Sequence, residues 1–146
     1  MDAIDKAIIE QLGADGRMSN TELAARVGLT PAPCLRRVQR LEADGVITGY
    51  RAIIDPARTG RGFEVIVNAD IAAMDRATVD RFERTVAAFE EVVEFRRMFG
   101  LRDYFIRVAV ADQDAFEQFL VTKMFSLPGI AKIDSHLTMK VLKERT

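Results

Sequence analysis

SNTELAARVGLTPAPCLRRVQRLEADG, residues 19–45, reads as two helices joined by a tight turn, and that reading decides the N-terminal fold. Ser19-Asn20-Thr21-Glu22 has the S-x-x-E form of a capping box: the hydroxyl takes a first-turn amide while Glu22 reaches back. Leu23, Ala24 and Val27 fall on one side and predict a helix over 20–27, which Gly28 ends by tolerating φ > 0. A second helix is predicted from Thr30, its N-cap, with Pro31 at N1 and Pro33 at N3. Amides at those positions have no carbonyl partner, so these prolines start a helix instead of breaking one. Leu35, Val38, Leu41 and Glu42 mark the expected buried side, Asp44-Gly45 the end, and Arg36, Arg37 and Arg40 point elsewhere.

Upstream, Ile4, Ile8, Ile9 and Leu12 share one face of a predicted helix over 2–14. Downstream, Val46 to Pro56 is β-branched and punctuated by Gly and Pro, predicting an extended hairpin or wing. Arg58, Gly60, Arg61 and Gly62 then read as a linker. The formal net charge is only −1, yet 23–41 contains no acid and four arginines, Arg26, Arg36, Arg37 and Arg40. Phosphate attraction is local, so a neutral chain with one basic segment can still bind nucleic acid. Two readings fit this segment. One is a solvated face of a plain αα-hairpin. The other is a helix-turn-helix whose second helix enters the major groove by its N-terminal end. In the second, Thr30, Pro31, Ala32 and Cys34 form a small tip for close approach, and Arg36, Arg37 and Arg40 reach guanine edges or phosphates.

The remainder alternates strand and helix signals. Val65, Val67, Ala69 and Ile71 alternate with polar residues as in a half-buried strand. Val79, Phe82, Val86 and Phe89 follow at helical spacing, then strands over 92–99 and 104–110 flank the turn Gly100-Leu101-Arg102-Asp103. Phe116, Phe119, Leu120 and Met124 mark another helix, broken by Leu127-Pro128-Gly129. Ala131, Ile133, Ser135, Leu137, Met139 and Val141 predict a last strand. The order βαββαβ is the ferredoxin-like plan. Ile66, Phe105 and Ala109 sit opposite the inward set, so the second face of the sheet is partly apolar, which favours pairing of sheets between chains. Met18, Met74, Met98 and Met124 read as gap fillers.

Composition excludes several classes. With 49% apolar and 29% charged residues the chain is globular, not disordered or collagenous. Its apolar runs are far shorter than the ~18 residues a membrane span requires. Acids stand at the start where a signal peptide carries Lys or Arg, so a cytoplasmic protein without membrane partners is expected. One cysteine, Cys34, forbids an intrachain disulfide, and one histidine, His136, disfavours a His-based metal site. No Ser/His/Asp set, metal cluster or phosphate-binding glycine loop appears, so no catalytic residue and no cofactor is expected. Cys34 reads as a packing or groove-facing residue, with a redox role as the alternative, because a helix N-terminus lowers a thiol's pKa.

Residues 15–50 in full, Asp2-x-x-Asp5 before an Ile-rich helix, "GLRDY" at 100–104 and "LPGI" at 127–130 together resemble the leucine-responsive regulatory protein/AsnC (feast/famine) family of prokaryotic transcription regulators. The resemblance runs the length of the chain. It implies an α+β protein with an N-terminal winged helix-turn-helix domain (1–50), a hinge strand and linker (51–62) and a ferredoxin-like βαββαβ (RAM) domain (63–146) for effector binding and oligomerisation. It further implies double-stranded DNA as partner, a small effector, typically an amino acid, and a homodimer assembling towards an octamer. Thr30 to Arg40 become the recognition helix. Met98, Gly100, Arg102, Asp103 and Tyr104 become effector-site residues, with the end of the last helix (Leu127, Pro128, Gly129) and His136 and Thr138 contributed from neighbouring chains. Asp103 suits an effector ammonium; the alternative is that it only caps its turn. Leu101 and Arg102 stand where many relatives carry small or acidic residues, which leaves the effector's charge preference open. Arg96 and Arg97 find candidate partners in Glu91 and Glu94, or in an anionic group. Two other functions stay in view: an amino-acid-sensing oligomerisation module acting through protein partners, and an enzyme on a ferredoxin-like fold.

Overall fold

The computed structural model describes residues 1–72 and 75–142, and the chain divides into two compact units, Met1–Ile53 and the part from Ile54 onward. In the first unit, α1 is Ala3–Ala14, α2 Asn20–Arg26 and α3 Pro31–Ala43. Asp2 caps α1 in a reciprocal box with Asp5: the Asp5 amide donates to Asp2 at 2.9 Å and the Asp2 amide to Asp5 at 3.0 Å. The box expected at α2 is only half made. Ser19 accepts from the Glu22 amide at 3.2 Å, but the Glu22 carboxylate turns to Arg26 at 2.7 Å. Gly28 takes φ +72°, as the turn between α2 and α3 requires.

Ile8, Met18, Leu23, Ala24, Cys34 and Leu41 form the core of this unit, with Ile4, Ile9, Leu12, Val27, Val38 and Ile47 packed around them. Cys34, Val38 and Leu41 are therefore the inner stripe of α3. Val38 and Leu41 lie where the sequence puts them, whereas Leu35, expected inside, is 45% exposed, and Glu42 is exposed and accepts the Tyr50 hydroxyl at 2.8 Å. Residues 46–62 carry no strand, only the short 3₁₀ turn Ala57–Thr59, so neither the hairpin nor the hinge strand expected there forms a β-ladder.

In the second unit, β1 (Phe63–Ile71), α4 (Arg76–Ala87), β2 (Val92–Arg97), β3 (Tyr104–Val110), α5 (Gln113–Phe119) and β4 (Ile130–Leu137) follow the predicted order. The sheet is antiparallel in the order β2-β3-β1-β4. Val65 lies opposite Val108, Val67 opposite Ile106 and Ala69 opposite Tyr104, and all six are buried against Phe82, Val86, Phe116, Phe119 and Met124 of the helical layer. The turn after α5, Leu120–Met124, widens to an i→i+5 bond from the Phe125 amide to the Leu120 carbonyl at 2.8 Å. β4 stops at Leu137, so Met139 and Val141, expected in the strand, stand exposed beyond it. Met18 and Met124 are core fillers, Met98 is 47% exposed, and Met74 lies outside the described residues. Among the described residues no helix is long and apolar enough to cross a membrane.

Candidate nucleic-acid interface and effector site

The outward face of α3 is set by its inner stripe. At 100° per residue, the side opposite Cys34 and Leu41 is that of Ala32, Leu35, Arg36 and Gln39. All four are exposed, as are Thr30 and Pro31 at the tip. Asn20 of α2 donates to the Pro31 carbonyl at 2.8 Å, tying the start of the second helix to the first.

The arginines do not share that face equally. Arg26 is held by Glu22 at 2.7 Å and Gln11 at 3.1 Å. Arg37 donates to Asp2 at 2.7 Å and to Asp5 at 2.8 Å. Arg40 donates to both oxygens of Asp5 at 2.8 Å. Asp5 is 1% exposed, and among the described residues it is the one buried charged side chain. Its pKa lies below the usual carboxylate range because the Asp2 amide donates to it, with Arg37 and Arg40 adding to that effect. Asp2 is lowered to about 2, first by the Asp5 amide and then by Arg37. Arg37 is raised by the same two carboxylates. Arg36 alone of the four has no ion pair or side-chain hydrogen bond among the described residues, and it stands in the middle of the outward face.

Two expectations are corrected here. Cys34, placed at a groove-facing tip, is wholly buried, and burial raises its thiol pKa where a helix N-terminus was expected to lower it. Arg37 and Arg40, placed with Arg36 on the DNA side, sit on the flank that meets α1. The sequence signal for this was Asp2-x-x-Asp5, two acids one turn apart at a helix start, whose partner in space lies more than 30 residues away.

In the second unit, the end of β1 gathers most of the predicted effector residues. The Asp103 carboxylate accepts from the Ile71 amide at 3.0 Å, and the next amide, Ala72, donates to the Gly129 carbonyl at 2.7 Å. The turns 100–103 and 127–129 therefore meet at one end of the sheet. Arg102 bridges across it: its guanidinium binds Asp70 at 2.8 Å and also pairs with Asp134. Asp70 is lowered by Arg102 first and by the Asp103 amide second, and Arg102 is raised in turn. Gly100 (φ +123°) and Arg102 (φ +71°) both adopt left-handed backbone, a cost of about 1–3 kcal/mol at a non-glycine position. Phe99 and Leu101 project fully into solvent.

Three predicted effector residues lie elsewhere within one chain. Tyr104 points inward and donates its hydroxyl to Glu83 at 2.7 Å. His136 lies opposite Ile66, and Thr138 follows the end of β4, so the register puts both towards the far end of the sheet from Asp103. Within one chain, neither stands at the Gly100–Asp103 turn. Arg96 pairs with Glu94 and Arg97 with Glu83 at 3.4 Å, whereas Glu91 is taken by Lys123 at 2.6 Å.

Burial, helped by the Glu83 carboxylate, raises the Tyr104 pKa to about 12. The folded state then holds this proton more tightly than the unfolded chain. Stability from Tyr104 is complete below pH ~10 and is lost as pH rises through about 12. In a Tyr50→Phe variant, which leaves Tyr104 as the sole tyrosine, tyrosinate absorbance is expected to appear together with loss of β-sheet circular dichroism. Ionisation near pH ~10 with the sheet intact contradicts the assignment.

Comparison with known proteins agrees with both units. Residues 1–48 match a winged helix-turn-helix DNA-binding domain, and residues 64–146 match the Lrp/AsnC ligand binding domain. The leucine-responsive regulatory protein of Haemophilus influenzae is 35% identical over 144 residues, covering 99% of this chain and 87% of that protein. A transcriptional regulator from Neisseria meningitidis, solved as its L-Met complex, superposes with a TM-score of 0.95 at 29% identity, over 100% of this chain and 94% of that one. An AsnC family regulator from Agrobacterium tumefaciens gives a TM-score of 0.92 at 36% identity, over 100% and 95% of the two chains.

Proposed function

This chain belongs to the Lrp/AsnC family of transcriptional regulators, with a DNA-binding and a ligand-binding domain, and we propose that α3 reads its operator chiefly through Arg36 while the joined turns 100–103 and 127–129 hold an amino-acid effector. The observation that carries the first half is the Arg36 guanidinium, unpaired among the described residues, on an exposed face shared with Ala32, Leu35 and Gln39. Thr30, Pro31 and Ala32 let the helix tip approach the base edges, and Gln39 extends the reading surface one turn further. Selection from random duplexes, followed by footprinting, tests this. A protected site with two half-sites about one helical turn or a multiple apart is expected from a dimer, and failure to enrich any sequence overturns the reading.

The second half rests on the convergence of the two turns at the end of β1, and on a Neisseria relative having been solved with L-Met. The Asp103 carboxylate spends one oxygen on the Ile71 amide, which leaves the other to accept from an effector ammonium. Phe99, Leu101 and Met139 are fully exposed and supply apolar surface for a second copy, which would also bring His136 and Thr138 to the turn. Effector binding at such a contact shifts assembly by its differential affinity for the two forms, about 1–3 kcal/mol. The relatives are regulators rather than enzymes, and the chain's work in this reading is cytoplasmic and non-catalytic.

A thermal-shift screen of the amino acids, with sizing of the assembly in the presence of each hit, tests the effector reading. Asp103→Asn keeps an oxygen for the Ile71 amide and removes the charge. It is expected to weaken the best effector about ten- to hundredfold in calorimetry while operator binding without effector is unchanged. An unchanged effector affinity removes Asp103 from the site.

A further inference from the structure

The ion cluster at the start of α1 has a consequence for how this protein tells its operator from other DNA. Arg37 and Arg40 flank the outward face of α3, yet both point their guanidiniums at one carboxylate pair. Arg40 also rims a cleft of about 260 Å³ whose lining includes Asp2, Asp5 and Asp44. Arg37 is only 26% exposed at its side chain, against 53% for Arg40. We propose that Asp5, assisted by Asp2, is a specificity-determining residue: it withholds Arg37 and Arg40 from the phosphates and leaves Arg36 to read bases.

The proposal rests on the reading of α3 as the DNA-contacting helix. Sequence-independent affinity grows with every phosphate neutralised, because each contact releases condensed counterions. A helix carrying three free arginines would therefore hold any duplex well and discriminate poorly. Discrimination is the difference between specific and non-specific binding, so muting two of the three cations raises it. The same contacts hold α3 against α1, which fixes the angle at which Arg36 is presented. Asp5 is suited to this task by its place. It closes the capping box of α1, is buried, and accepts from both guanidiniums, so an arginine that turns to a phosphate gives up a pair with a buried carboxylate.

Fluorescence anisotropy of the full-length chain on random and selected duplexes, over about 50 to 200 mM salt, tests it. Arg40→Ala leaves Asp5 paired with Arg37 and is expected to keep the wild-type slope of log K against log salt. A slope shallower by about 1 means that Arg40 contacts phosphate, and overturns the proposal. Asp5→Asn keeps the shape and the capping acceptor and frees the arginines. On random duplex its slope is expected to steepen by about 1–2, with affinity up about fivefold per freed arginine, so that the specific-to-random ratio falls. Adding Arg37→Ala and Arg40→Ala to Asp5→Asn should return the slope to the wild-type value. If Asp5→Asn folds and its slope does not change, the proposal is wrong; if it does not fold, the Arg40→Ala slope decides alone. Arg36→Ala separates the premise from the inference. If that variant still selects and binds its site normally, the reading of α3 has failed, whatever the acids do.

Discussion

Arg36→Ala is expected to abolish operator discrimination while leaving the fold and the assembly intact. A good arginine contact to a guanine edge contributes about 1–3 kcal/mol for each recognition helix, a roughly ten- to hundredfold loss, and a dimer carries two such helices. Arg36 is exposed and unpaired among the described residues, so its removal strands no partner and opens no cavity. Thermal unfolding and sizing should match the parent. The informative comparison is with Arg37→Ala, whose side chain lies between Asp2 and Asp5. That variant should lower the melting temperature of the N-terminal unit, because Asp5 then keeps only Arg40. An Arg36→Ala protein that binds its selected duplex as tightly as the parent would falsify the assignment of the reading residue.

Phe82→Ala is expected to be the most destabilising single truncation in the C-terminal unit, by about 3–5 kcal/mol, the range for deleting a buried aromatic ring. Phe82 is 3% exposed. Its ring centroid lies 5.0 Å from that of Tyr104 and 6.2 Å from that of Phe95, so it clamps the start of β3 and the end of β2 onto α4. Those are the two strands that carry the Gly100–Asp103 turn. The variant should unfold at much lower urea with little change in the slope of the transition, and any effector response should vanish under conditions where the parent retains it. The N-terminal unit has a hydrophobic core of its own and should keep its helical signal. A loss under about 1 kcal/mol would show that the aromatic cluster relaxes to fill the space, and that the turn is held by Asp70, Asp103 and Arg102 alone.

The proposed effector site was legible in part. "GLRDY" and "LPGI" mark turns by their glycine and proline, and turns are local, so their existence could be read. That Asp103 and Gly129 meet through consecutive amides of Ile71 and Ala72 depends on strand register. The same register sends His136 and Thr138 towards the other end of the sheet, where no periodicity argument would have placed them. Arg102 illustrates the same division. Its type was noted, but its left-handed backbone and its grip on Asp70 and Asp134 follow from strands that are distant in the chain.

The amino-acid sequence by itself determined the three N-terminal helices, the prolines that open α3 and the βαββαβ order. Caps, breakers and hydrophobic periods act over a few residues, and that information is present in any short window. Tertiary structure alone decided which charges are free. The segment 23–41 contains no acid, yet three of its four arginines find carboxylates, two of them in a helix 32 to 35 residues earlier. Packing likewise put Cys34 inside and Leu35 outside, because the first turn of α3 has to fit the core it shares with α1 and α2. Ion pairing and packing are settled by distance in space, and a linear pattern of charge cannot show which guanidinium is left for DNA.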